Sequence, residues 1–184
     1  MLINKKPLHP NFGVIIEDID LNQVSHNFLY KEIRELFENY SVILFKNQKI
    51  SDDTHINFAK LFGQLENREA MATNSDVEFE LSLVTNQKED KSVYDEYDIK
   101  TLDLKANMLW HTDSTFLPVP ALANIITAKI IPSSGGETEL ASTRVALKKL
   151  PKDLYHYIKD KKIWHNLSHS RKQINEQLAE ETYI

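Results

Sequence analysis

The pattern of apolar and polar positions divides the chain into short elements. Phe12 to Ile16 is an apolar run holding Gly13 and reads as a first strand. Leu29, Ile33, Leu36 and Tyr40 then recur at helical spacing with Glu and Lys between them, which predicts a helix with one apolar face, and Ser25 is its expected N-cap. Val42 to Phe45 is a compact apolar strand, expected to be buried on both faces. Ser51 is placed to cap a second helix, with Asp52 and Asp53 in the first turn where carboxylates suit the helix dipole. Ile56, Ala59 and Phe62 form its expected apolar stripe, and Gly63 sits where a helix C-terminal glycine belongs.

Beyond Gly63 the pattern is less regular. Glu80 to Thr85 reads as a strand, and Asn86 to Lys105, polar and acidic without a period, as a long loop. Ala121 to Ile131 returns to strand character, Gly135-Gly136 makes a turn, and Glu137 to Ala141 forms another strand. Short helices are expected around Arg144 to Leu150 and Pro151 to Lys159. Strands interspersed with helices, without repeats or low-complexity tracts, indicate an α+β fold in a single domain.

Composition narrows the function classes. The 184 residues carry a formal net charge of −5 with no long block of one sign, which argues against nucleic acid as a partner, because phosphate binding needs clustered Lys and Arg. Without cysteine there are no disulfides, thiol nucleophiles or Cys-ligated metals. The longest apolar-rich stretch, Ala121 to Pro132, is too short for a membrane span and contains Asn124 and Lys129. The N-terminus shows no signal-peptide run, so the cytoplasm is the simplest compartment. A homo-oligomer is compatible with the sequence, which does not decide the oligomeric state.

The candidate chemistry lies in Asn107-Met108-Leu109-Trp110-His111-Thr112-Asp113. On an extended chain alternate side chains share a face, so His111 and Asp113 can reach one point. An imidazole and a carboxylate at that spacing supply two legs of a 2-His-1-carboxylate facial triad, which holds Fe(II) and leaves open positions. Taken alone, His-x-Asp is also what a surface His beside a solvated Asp looks like. Downstream, Pro132 to Thr138 sets a Gly-Gly turn before a Thr that can present a hydroxyl to a carboxylate, and by itself this too is only a hairpin turn.

Together, the run WHTDSTFLPVPALANIITAKIIPSSGGETELASTRVALKKLP closely resembles the taurine/2,4-dichlorophenoxyacetate dioxygenase family. The resemblance includes the Trp before the His, the spacing to the Gly-Gly turn, the acidic-Thr pair after it and the Ala-x-x-x-Leu-Pro helix end. FGVIIEDIDL, SVILFKNQKIS and FAKLFGQL resemble the same family's opening. The resemblance implies a double-stranded β-helix, or jelly-roll, with flanking helices. It implies Fe(II) as cofactor, 2-oxoglutarate and O2 as cosubstrates, and hydroxylation of a small organic acid of sulfonate, sulfate or aryloxy type, with release of succinate and CO2. His111 and Asp113 match the first two iron ligands, and Thr138 matches the hydroxyl that bonds 2-oxoglutarate. Asn107 and Ser114 match substrate-facing positions, and Arg68 falls where a substrate-contacting side chain belongs.

Members of that family continue past the point where this sequence ends. The chain is therefore expected to stop before the distal His ligand and the Arg that pairs with 2-oxoglutarate, leaving the jelly-roll incomplete at the C-terminus. His156, His165 and His169 read as surface or loop residues, and His9, His26 and His55 as structural or exposed. Two other readings stay open: a catalytically inactive fragment or binding module of the same fold, and a hydrolytic metal site on His111 and Asp113.

Overall fold

A computed structural model describes residues 3–66 and 81–181. The chain divides into two compact units, one of Met1–Gln64 with Ile125–Lys162 and the other of Leu65–Asn124 with Ile163–Ile184.

The first unit is built on a small sheet. β1 (Lys5–Pro7) runs antiparallel to β2 (Val14–Ile16), and β2 runs parallel to β3 (Ile43–Phe45). The register sets Lys5 opposite Ile16 and Val14 opposite Ile43. β2 matches the expected first strand, whereas β1 went unforeseen because Lys5-Lys6-Pro7 has no apolar face. β3 forms as expected but is not buried on both faces: Leu44 is exposed and Ile43 and Phe45 are half-buried. Among the described residues β3 pairs only with β2, so one of its edges carries no strand.

Helix α1 (Tyr30–Tyr40) turns Ile33 and Leu36 into the core, as the spacing predicts. Its cap differs from expectation. Leu29, at φ 65°, precedes the helix, and Ser25 instead exchanges backbone hydrogen bonds with Phe28. That local turn uses the Ser25 backbone where a cap would have used its side chain. Helix α2 (Asp52–Lys60) is capped by Ser51, whose hydroxyl accepts from the Thr54 amide at 3.1 Å. Its buried residues are His55 and Phe58, so the inward face lies one residue away from the predicted stripe, with Ile56, Ala59 and Phe62 half-buried at its margins. Val14, Ile16, Ile19, Leu21, Ile33, Leu36 and Phe58 form the core, and the Phe58 ring meets Phe45 and Phe62 edge-on. The buried His55 bonds the Ile125 carbonyl at 3.0 Å, confirming its structural role.

The same unit holds α4 (Thr143–Lys149), capped by Ser142, and α5 (Lys152–Ile158), both close to the predicted spans. Gly135 and Gly136, both at φ +75°, make the expected turn. The expected strands Ala121 to Ile131 and Glu137 to Ala141 do not form; the backbone there pairs with no other strand among the described residues. Residues 123, 125 and 127 are nevertheless half-buried while 122, 124 and 126 are exposed, the two-residue alternation of an extended segment.

In the second unit, residues 81–85 form no strand, and Glu80 lies outside the described residues. The expected loop Asn86 to Lys105 contains a helix, α3 (Ile99–Ala106). The Asp98 side chain caps it by accepting from the Lys100 amide at 2.9 Å. Helix α6 (Leu167–Lys172) follows Asn166, whose side chain accepts from the His169 amide at 2.7 Å, and α7 (Glu176–Glu181) packs on α6. Asn166 is thus the residue that starts α6. Across the described residues, no helix is long and apolar enough to cross a membrane. Of the expected jelly-roll, strand pairing among the described residues is confined to β1, β2 and β3.

Candidate active site

Helix α3 ends at Ala106 with Asn107 as its C-cap, and the chain leaves it through two turns into the irregular stretch that carries His111. A further turn begins at Asp113. Ser114 there has φ 61°, and the Leu117 amide donates to the Ser114 carbonyl at 2.9 Å. The backbone around His111 forms no strand, yet the two-residue spacing still brings both side chains together. His111 Nε2 lies 3.1 Å from Asp113 Oδ1. Each side chain is a little under half exposed.

The hydrogen bonds around this pair fix its chemistry. His111 Nδ1 faces the Leu109 carbonyl oxygen. A carbonyl can only accept, so Nδ1 carries a proton and Nε2 is the nitrogen turned toward Asp113. Two electron-pair donors facing each other call for a positive charge between them, a proton or a metal ion. Cis ligands on an octahedral ion with bonds of about 2.1 Å lie about 3 Å apart, which the observed separation matches. The same separation suits a His–Asp ion pair, so the two groups could share either a proton or an ion. Among the described residues no set of three or more His, Cys, Asp or Glu side chains forms a metal site.

Asp113 is held from its other side as well: its Oδ2 accepts a hydrogen bond from Asn124 Nδ2. Sequence reasoning noted Asn124 only as an interruption of an apolar run. A lone carboxamide in such a run was the available signal, but its target lies eleven residues away and is set by tertiary structure.

The other expected site residues are placed as follows. Ser114 is 4% exposed, and its hydroxyl donates to the Glu66 carboxylate. Asn107 is exposed, and its carboxamide oxygen accepts from Arg171, whose guanidinium also bonds Asp103 at 2.9 Å. Thr138 lies in the first unit, exposed, two residues beyond the Gly135-Gly136 turn. Arg68 is outside the described residues. Of the histidines considered as further ligands, His165 bonds Thr115 through Nδ1 at 3.1 Å, and His169 is exposed on α6.

Comparison with known proteins bears on this arrangement. The family profile described as "Taurine catabolism dioxygenase TauD, TfdA family" matches residues 4–183. The chain is 33% identical over 174 residues to the alpha-ketoglutarate-dependent 2,4-dichlorophenoxyacetate dioxygenase of Cupriavidus pinatubonensis, covering 93% of this chain and 61% of that one. It is 29% identical over 173 residues to the (S)-phenoxypropionate/alpha-ketoglutarate-dioxygenase of Sphingobium herbicidovorans, covering 93% of this chain and 56% of that protein. A crystal structure of AAD-2 in complex with Mn(II) and N-oxalylglycine superposes with a TM-score of 0.82 at 26% identity, covering 96% of this chain and 62% of that chain. The chain thus spans about three-fifths of the length of these relatives.

Proposed function

Because the chain belongs to the family of the taurine catabolism dioxygenase TauD and TfdA, we propose that it carries two iron ligands and one 2-oxoglutarate contact of an Fe(II)/2-oxoglutarate-dependent dioxygenase. The substrate is a small organic acid of aryloxy, sulfate or sulfonate type, and the named relatives support the aryloxy and sulfate part of that range. Two of them are named for 2,4-dichlorophenoxyacetate and phenoxypropionate, and another is a sulfate ester dioxygenase from Pseudomonas putida.

The single observation that carries the reading is the facing of His111 Nε2 and Asp113 Oδ1 at 3.1 Å, with the other ring nitrogen committed to the Leu109 carbonyl. When bound, Fe(II) supplies activation of O2 and oxidative decarboxylation of 2-oxoglutarate to succinate and CO2. The chain's own residues bind and orient. His111 and Asp113 would hold the ion. Thr138 donates a hydroxyl hydrogen bond to the 2-oxoglutarate carboxylate distal to the metal. Asn107, Ser114 and Arg68 match substrate-facing positions of the family, and a guanidinium at Arg68 would pair with the substrate's anionic group.

The test is turnover. His111→Ala and Asp113→Ala are each expected to abolish Fe(II)-dependent conversion of 2-oxoglutarate to succinate, because too few ligands remain to hold iron in a fixed geometry. Full succinate production by either variant would remove the reading. A hydrolytic metal site predicts turnover without 2-oxoglutarate, and a binding module predicts none at all.

A further inference from the structure

We propose that Asn124 is a positioning residue for the metal-binding carboxylate, directing Asp113 to bind the ion through Oδ1 alone. The inference rests on the metal reading of His111 and Asp113.

A carboxylate with both oxygens free can bind an ion through either one or both. Binding through both would occupy a position that the facial arrangement must keep open for cosubstrate and oxygen. Here the two oxygens of Asp113 are distinguished. Oδ1 faces His111 Nε2 at 3.1 Å, on the side where the ion fits. Oδ2 takes a hydrogen bond from Asn124 Nδ2. The amide must present its nitrogen, since the flipped carboxamide would set an acceptor oxygen against a carboxylate oxygen.

The choice of an amide is informative. A Lys or Arg at this place would neutralise Asp113 and compete with the ion for it. Asn donates without adding charge, so the carboxylate keeps its full charge for the metal. The alternation along the extended segment, with Ala123 and Ile125 half-buried and Asn124 exposed between them, turns this side chain away from its neighbours' packing. Partners of metal ligands at this remove typically change affinity by about ten- to a hundredfold when removed.

The test uses Mn(II) binding to the full chain, followed by the loss of the free-ion EPR signal, with Co(II) absorption as a second readout. Asn124→Leu removes the donor at similar size, and Asn124→Gln retains it. The Leu variant is expected to bind Mn(II) at least about tenfold more weakly. Its Co(II) spectrum should change with the altered coordination, its thermal midpoint should not, and the Gln variant should recover part of the affinity. Mn(II) affinity and a Co(II) spectrum both unchanged in the Leu variant would overturn the role of Asn124 while leaving the metal site standing. A wild-type chain that binds no Mn(II), or binds it equally after Asp113→Ala, would overturn the metal reading and this inference with it.

Discussion

Thr138 and the His111–Asp113 pair stand at different distances from what a sequence can tell. The pair was legible because residues at i and i+2 are close along the chain, and they meet in a stretch that forms no strand. Asn124 and Glu66 were not legible as partners of Asp113 and Ser114, because those contacts join residues 11 and 48 positions apart. Thr138 enters only through the family resemblance, and its role is a prediction about affinity. A hydroxyl donating to an anionic oxygen contributes about 1.5–3 kcal/mol, so Thr138→Ala should raise the 2-oxoglutarate concentration needed for half-maximal turnover about ten- to a hundredfold. The requirement for the organic-acid substrate should change much less. Steady-state kinetics with each component varied in turn checks this, and an unchanged 2-oxoglutarate requirement would place the cosubstrate elsewhere.

Helices were easier to foresee than strands, for a physical reason. Helices α1, α2, α4 and α5 announce themselves by local signals: an apolar stripe, a Ser cap, a Pro before the first turn. Helix α3 was missed although Asp98 caps it, because its apolar positions sit among Lys and Asp in an acidic stretch. Strands need a partner, and 121–131 and 137–141 have strand-like composition without one among the described residues. Two predictions follow from the sheet that does form. Gly13 enters β2 at φ +81°, and a Cβ there would lie 3.0 Å from the Leu8 side chain. Its amide also donates to the Tyr40 carbonyl at 2.9 Å. Gly13→Ala should therefore lower the stability of the first unit by about 1–3 kcal/mol, as measured by urea denaturation; an unchanged midpoint would mean that the turn relaxes freely. Across the β1–β2 pair, Lys6 holds the Glu17 carboxyl below the usual carboxylate range, with Lys46 adding to the effect. A depressed carboxyl contributes stability above its unfolded-state value and loses it as pH falls through the folded one. Glu17→Gln should thus narrow the gap in stability between neutral and acid pH, and equal acid sensitivity in both proteins would assign it to other groups.

At the scale of the whole chain, apolar burial is unevenly distributed. The buried cluster around Ile16 and Ile33 belongs to the first unit, whereas the buried apolar residues of the second are Ala106, Leu178 and Ala179 among the described residues. Two alanines and a leucine remove little apolar surface from water, at about 25 cal/mol per Å². The second unit also carries both tryptophans, Trp110 at 70% and Trp164 at 91% exposure, beside exposed Met108, Val119 and Ile163. Exposed apolar side chains of this size bind hydrophobic dyes and favour association. The amides of β2 and α1 should accordingly exchange with solvent most slowly and those of α5, exposed along its whole length, fastest, because local opening follows local burial. Tryptophan fluorescence gives a separate readout of the same unevenness. In the 184-residue chain without ligands, emission in water should already resemble that of the denatured chain and shift little as guanidinium is added. Far-UV circular dichroism should meanwhile show a transition as the first unit unfolds, and a hydrophobic dye should bind before it. If tryptophan emission were blue-shifted in water and moved with the circular dichroism in one cooperative step, both indoles would be buried in the folded chain, and this account of the second unit would be wrong.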